Sequence, residues 1–497
     1  EWPLQIFYSI NDYIYMNIGY PPSVLLPMIK AGVSQFRYVL DEGERNWRED
    51  AHPNYLRVID RWQQKPAGEL SAAELLEGAQ QLLAAAVYTY TVLQAGLIPA
   101  ASMTEGLFTQ LYKRLIKKPS DPEAAAFLLG FESTPIRSEI ALYDLAMWAR
   151  TRPELAEYLA GRPGSEIGAD MERGSRPAAV PAEDWQELID RFSRYLKQHG
   201  DALYDLDFSK PVPADDPGPL LDTLRLYLTG QGRSPYERIQ KLSDERKQAE
   251  ASILKRIGGL RRKWFLKSLK NAQKSAPLRE DGLADLGLGY PLLRRLLLEL
   301  GRRLAAAGAL EQKEDVFWLL QEEAQEAAAA LDRGETSLPK ITGLSQRKAV
   351  WNAQKQVIPP VMLPKGSRFL GIDVGAFGAR TEGQEGDIIR GIGAFPGRFT
   401  GVARVLRGPE DFGLMQPGDI LVASITTPAW TPLFAKAAAI VTDVGGPLSH
   451  SSIVAREYGI PAVLGTGVGS RRIQSGQIIT VDGSAGTVSL KNGHDQV

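Results

Sequence analysis

The chain has 497 residues, of which 44% are hydrophobic and 24% charged, with a formal net charge of −1. That length has room for roughly two to four domains, and so balanced a charge offers no field to attract nucleic acid or an anionic membrane, so neither is expected as a partner. Cysteine is absent, which excludes disulfides and thiolate metal sites and fits a reducing, cytoplasmic compartment.

The first residues, Glu1-Trp2-Pro3-Leu4, lack the basic region and apolar core of a secretory leader. Glu rather than Met at position 1 leads to the expectation of further chain upstream. Phe7 to Tyr15 is aromatic and partly alternating, and predicts a strand or hairpin. From about residue 40 to about residue 356 the period is helical. Ser71 predicts the cap of one run from Leu70 to Gln94. Gln80 to Met103 is uncharged, yet its Gln, Thr and Pro residues make it too polar for a membrane span, and it reads as a buried central helix. Helical spacing recurs at Ser138–Trp148, Trp185–His199 and Pro291–Ala307, while Gly161–Pro181 reads as an exposed loop. Ser243–Lys274 predicts one long basic helix, whose commonest meaning is a solvated face and whose rarer one is contact with phosphate.

Pro359 to Gly386 is rich in Gly and Pro without apolar periodicity, as linkers are. Beyond it the pattern is that of short strands, at Gly401–Leu406, Gly418–Ala423 and Ala438–Val441. A short helix is predicted from Pro428 to Lys436, and a closing hairpin from Ile478 to Val488 turns at Asp482-Gly483. The expected fold is multidomain: a large, mostly α-helical domain over 1–358, a linker over 359–386 and a small α/β (β/β/α) domain over 387–497.

The chemistry concentrates between Asp443 and Arg456. A buried strand meets Gly445-Gly446, and then Ser449-His450-Ser451-Ser452 opens a short helix that stops at Gly459 and Pro461. His450 therefore sits at a helix N-terminus, where the positive partial charge disfavours imidazolium and unpaired N–H groups can bind phosphoryl oxygens. For a histidine considered alone, a packed cap is the commoner role. Gly445, Gly446, Ser449 and Ser451 are the candidate phosphoryl cradle, with Thr426 and Thr427 next to it. Arg456, off the face of His450, is expected to pair structurally with a carboxylate.

Gly445 to Val463 closely resembles the phosphohistidine swivelling domain of the phosphoenolpyruvate-utilising enzymes, and Thr427–Phe434 and Ile479–Gly483 are similar to its flanking signatures. The Leu448-Ser449-His450 form resembles the rifampicin phosphotransferase branch. More diffusely, so do Ala141–Ala146, Leu278-Arg279-Glu280 and Gly301–Phe317, and a phenylphosphate synthase subunit has a similar plan. The resemblance implies that His450 is a phosphoacceptor which carries a phosphoryl group from ATP to a hydroxyl of a small molecule. It further implies that ATP and Mg2+ are bound by an ATP-grasp module upstream or on a partner subunit, since nothing in this sequence resembles one. A phosphohistidine-dependent condensing enzyme and a non-catalytic relic are the alternatives. At Asp201-Ala202-Leu203-Tyr204 the chain departs from its relatives, which leaves the acceptor open.

Overall fold

A computed structural model describes residues 42–204, 207–357, 384, 386–446 and 449–490, together with strand pairs at 7–10/13–16 and 368–369/372–373. Most of the predicted linker lies outside the described residues, as do Pro447 and Leu448. The aromatic opening is a hairpin, Phe7–Ile10 paired antiparallel with Tyr13–Met16.

The helical part is built on α1 (His52–Gln63), α2 (Ala72–Val92) and α3 (Ile98–Leu115). Ser71 accepts from the Glu74 N–H while Glu74 accepts from the Ser71 N–H, a reciprocal cap that starts α2 at Ala72. A π-helical turn over Leu93–Leu97 joins α2 to α3, so 72–115 forms one continuous helical run. By length and composition this run could cross a membrane, a test that core helices of water-soluble proteins also pass. It is less buried than expected: Leu75, Leu82, Leu93 and Phe108 face the core, but Val87, Tyr88, Tyr90 and Leu107 are exposed.

Next come α4 (Thr134–Arg150), α5 (Gly164–Glu172), α6 (Ala182–His199), α7 (Gly218–Leu228) and α8 (Pro235–Arg256). The loop predicted at 161–181 thus contains a helix. Gly164 serves close packing rather than turning, because a Cβ there would stand 2.1 Å from the Gly218 carbonyl oxygen on α7. The long basic helix is also corrected. It is two helices, α8 and α9 (Gly259–Asp285), parted where Ile257 and Gly258 are extended and Gly259 takes φ +55°. Their Lys255, Arg261, Lys263 and Lys267 are exposed. In α10 (Tyr290–Ala306), Leu293, Leu296, Leu300 and Leu304 form a buried stripe against α1 and α2. Burying each such side chain contributes about 1.5–3 kcal/mol.

The C-terminal part is an eight-stranded mixed sheet. Its strands are β1 (Ile388–Arg390), β2 (Ile392–Phe395), β3 (Arg398–Leu406), β4 (Ile420–Ala423), β5 (Ala439–Thr442), β6 (Ala462–Leu464), β7 (Ile478–Asp482) and β8 (Thr487–Ser489). The spatial order is β1-β8-β7-β3-β4-β5-β6-β2, with β3 to β6 parallel. β4, β5 and β6 are buried at every position, as continuous apolar runs covered on both faces should be. One helix, α11 (His450–Tyr458), connects β5 to β6 and carries the histidine. The architecture is therefore a large helical domain with a small α/β domain, as expected.

These two parts share a core. Tyr204 packs edge-on against Phe412 at 5.2 Å, and Phe412 against Trp430 at 4.7 Å. Trp430 Nε1 donates to the Tyr204 carbonyl at 2.8 Å, and the Thr427 hydroxyl donates to the Leu203 carbonyl. Residues 202–204 of the helical part are thereby clamped to the 427–430 loop.

Candidate active site

The turn before His450 is fixed by short-range chemistry. Gly445 has φ +146°, and a Cβ there would lie 3.0 Å from Ser449 Oγ. Ser449 caps α11: its Oγ accepts from the Ser452 N–H at 3.4 Å and donates to the Gly446 carbonyl at 2.9 Å. At the other end, Gly459 takes the left-handed conformation and ends the helix. Asp443 anchors the strand end, accepting from Thr466 Oγ1 at 2.9 Å and the Ser470 N–H at 3.0 Å.

This frame holds His450, 8% exposed, at the seam between the two parts. Its Nδ1 lies 3.0 Å from Glu280 Oε2 on α9, and its Nε2 lies 3.4 Å from Thr431 Oγ1. Burial pushes the Glu280 carboxyl up, but the His450 contact and the neighbouring Arg279 outweigh it and hold the group below the ordinary carboxylate value. An ionised carboxylate can only accept. Nδ1 consequently carries the hydrogen, and in the neutral ring Nε2 presents its lone pair toward Thr431.

The remaining predicted residues have other partners. Ser451 Oγ is 2.8 Å from Thr426 Oγ1, both buried. Ser449 is committed to the cap and Thr427 to the Leu203 carbonyl. Gly445 and Gly446 form the turn itself. Each of these four hydroxyls is thus engaged within the protein, and none of them bonds to His450. Arg456 Nη1 lies 3.9 Å from Glu105, whose carboxyl burial raises despite Arg279 and Arg456.

The sequence reading missed a second network. Glu139 on α4 accepts from Tyr458 of α11 at 2.7 Å and from Tyr227 at 2.9 Å, and its carboxylate is gripped by both terminal nitrogens of Arg238. The Arg238 guanidinium lies 4.0 Å from the centre of the Tyr458 ring. Glu139 and Tyr458 are 319 positions apart, and no local spacing signals their contact.

Two cavities flank the histidine helix. The larger has Thr431 and Pro432 on one wall and Ser138, Tyr195, His199 and Asp201 on the other. The smaller is lined by Glu105, Arg279, Glu280, Arg456 and Glu457. The Nε2 side of His450 thus meets, through Thr431, the wall of the larger cavity, and the Nδ1 side meets the smaller one. Among the described residues no cluster of three His, Cys, Asp or Glu side chains could hold a metal ion. These residues do not fit a Mg2+–ATP site.

Residues 415–486 match the PEP-utilising enzyme mobile domain. Residues 95–280, ending at the histidine's carboxylate partner, match the rifampicin phosphotransferase fourth domain. The chain therefore carries segments similar to the mobile domain of the phosphoenolpyruvate-utilising enzymes and to the fourth domain of the rifampicin phosphotransferases. It is 32% identical to a rifampicin phosphotransferase of Streptomyces sviceus over 71% of this chain and 39% of that protein. It is 30% identical to chondramide synthase cmdD of Chondromyces crocatus over 97% of this chain and 13% of that protein. An uncharacterized phosphotransferase of Bacillus subtilis, YvkC, is 26% identical over 88% of this chain and 51% of its own length. The chain spans about half or less of each of these relatives.

Proposed function

We propose that the chain is the acceptor half of a dikinase-type phosphotransferase. His450 takes a phosphoryl group on Nε2 and passes it to a hydroxyl of a small molecule. The observation that carries this reading is the Glu280–His450 contact, which favours the hydrogen on Nδ1 and so a lone pair on Nε2 that can bond phosphorus. ATP is the ultimate donor, loaded with Mg2+ by an ATP-grasp module in cis or on a partner subunit. The acceptor enters the larger cavity, whose walls are mainly apolar, so its body is apolar and it presents a hydroxyl. For loading, the domain over 387–497 swings away from the helical domain over 1–358, with 359–386 as the tether.

Radiolabelled phosphoramidate, which phosphorylates histidines without an enzyme donor, tests the first half of this reading. The wild-type chain should take up label at His450, located by peptide mapping, and His450→Ala should lose the label at that position. Undiminished labelling of the variant would refute the assignment.

A further inference from the structure

We propose that Asp201 is the catalytic residue that accepts the proton of the acceptor hydroxyl as the phosphoryl group leaves His450. This rests on the reading of His450 as the carrier and adds the missing base.

The charged groups around the larger cavity are in different states. Glu139 is saturated by Arg238, Tyr227 and Tyr458. Asp285 is ion-paired with His52 Nδ1 at 2.8 Å. His199 rests its ring 5.2 Å from that of Tyr195, and burial, with the charge of Arg137, lowers its proton affinity and keeps it neutral. Asp201 differs from both of the other carboxylates. Among the described residues its carboxylate has neither a hydrogen bond nor an ion pair, although it borders the cavity. Arg295 favours its ionised form, and Asp215 opposes it, both from a distance. Burial pushes its carboxyl up to about 6, so at neutral pH it is ionised yet basic enough to hold a proton briefly.

Its position is also tied to docking. Leu203 and Tyr204, two and three residues on, are clamped to Thr427 and Trp430, one to four residues from Thr431. Asp201 is therefore presented to the cavity when His450 is docked against it. The step balances within these groups. The acceptor oxygen bonds to phosphorus while its proton passes to Asp201. The P–Nε2 bond breaks, its electron pair returns to Nε2, and the Nδ1 hydrogen stays on the Glu280 contact throughout.

Water can stand in for the acceptor. The chain is loaded with phosphoramidate, freed of reagent, and followed for loss of phosphohistidine between about pH 5 and about pH 9. An unassisted phosphohistidine bond is cleaved faster in acid. With Asp201 as base, the folded wild type should instead lose phosphate faster as pH rises through about 6. Asp201→Asn should load normally, lose that rise, and decay about tenfold more slowly at neutral pH. A wild-type rate that only falls with rising pH would overturn the proposal without recourse to any variant. Equal rates and profiles for wild type and Asp201→Asn would do the same. Failure of the wild type to load would instead overturn the carrier reading, and this inference with it.

Discussion

Two atoms of one residue divide the work. Nδ1 of His450 is held by Glu280, and Nε2 faces Thr431 and the cavity. Glu280→Gln keeps a hydrogen-bond acceptor but removes the charge that favours the Nδ1–H form. It should slow phosphoryl uptake by His450 about 10²-fold, measured by mass spectrometry of the phosphorylated chain over time, with near-wild-type melting. His450 itself was legible because strand, glycine turn, serine cap and terminator lie within about twenty consecutive residues. Glu280 was legible only as part of a resemblance, since it reaches the histidine across 170 positions. The serine and threonine hydroxyls have other partners in this structure. Spacing places them near His450, but Ser449 turns inward to cap the helix and Thr427 turns outward to the helical domain.

At the scale of elements, α11 is both the carrier helix and a docking element. Its first residue meets Glu280 and its last, Tyr458, meets Glu139, so one nine-residue helix touches α9 and α4 at its two ends. Arg238→Met leaves Glu139 buried without its cation and should destabilise the docked structure by about 3–5 kcal/mol. Urea denaturation checks this, and a midpoint within error of the wild type would contradict it. Ser449→Ala removes a cap and should cost about 0.5–2 kcal/mol. The errors in reading the helical part share a cause. Glycine marks a turn in isolation, but at Gly164 it allows two helices to touch, and at Gly258-Gly259 it ends a helix whose polar periodicity continues past it. Only packing distinguishes the two.

At the scale of the whole molecule, the seam joining the α/β domain to the helical domain buries ionisable groups, and docking should respond to pH. Burial pushes Glu457, on α11 beside the smaller cavity, up to about 8, with Glu280 and Glu139 adding to the shift and Arg238 opposing it. A carboxyl raised in the docked state favours docking fully below its ordinary value, and that contribution is lost as pH rises through about 8. Asp201 acts in the same direction through about 6. Glu280, held low, acts oppositely, and its contribution is lost only as pH falls below the ordinary carboxylate range. Docking should thus loosen between about pH 6 and about pH 8, seen as faster amide exchange at 202–204 and 427–431, and less so in Glu457→Gln. Exchange rates that follow only the intrinsic pH dependence would contradict this.

With Glu280 on Nδ1, His450 is expected to carry phosphorus on Nε2. Phosphorus NMR of the phosphoramidate-treated chain, with the site located by peptide mapping, tests it most directly. An Nε2-phosphohistidine at position 450 is expected. Phosphate on Nδ1, or on another residue in place of His450, would contradict it.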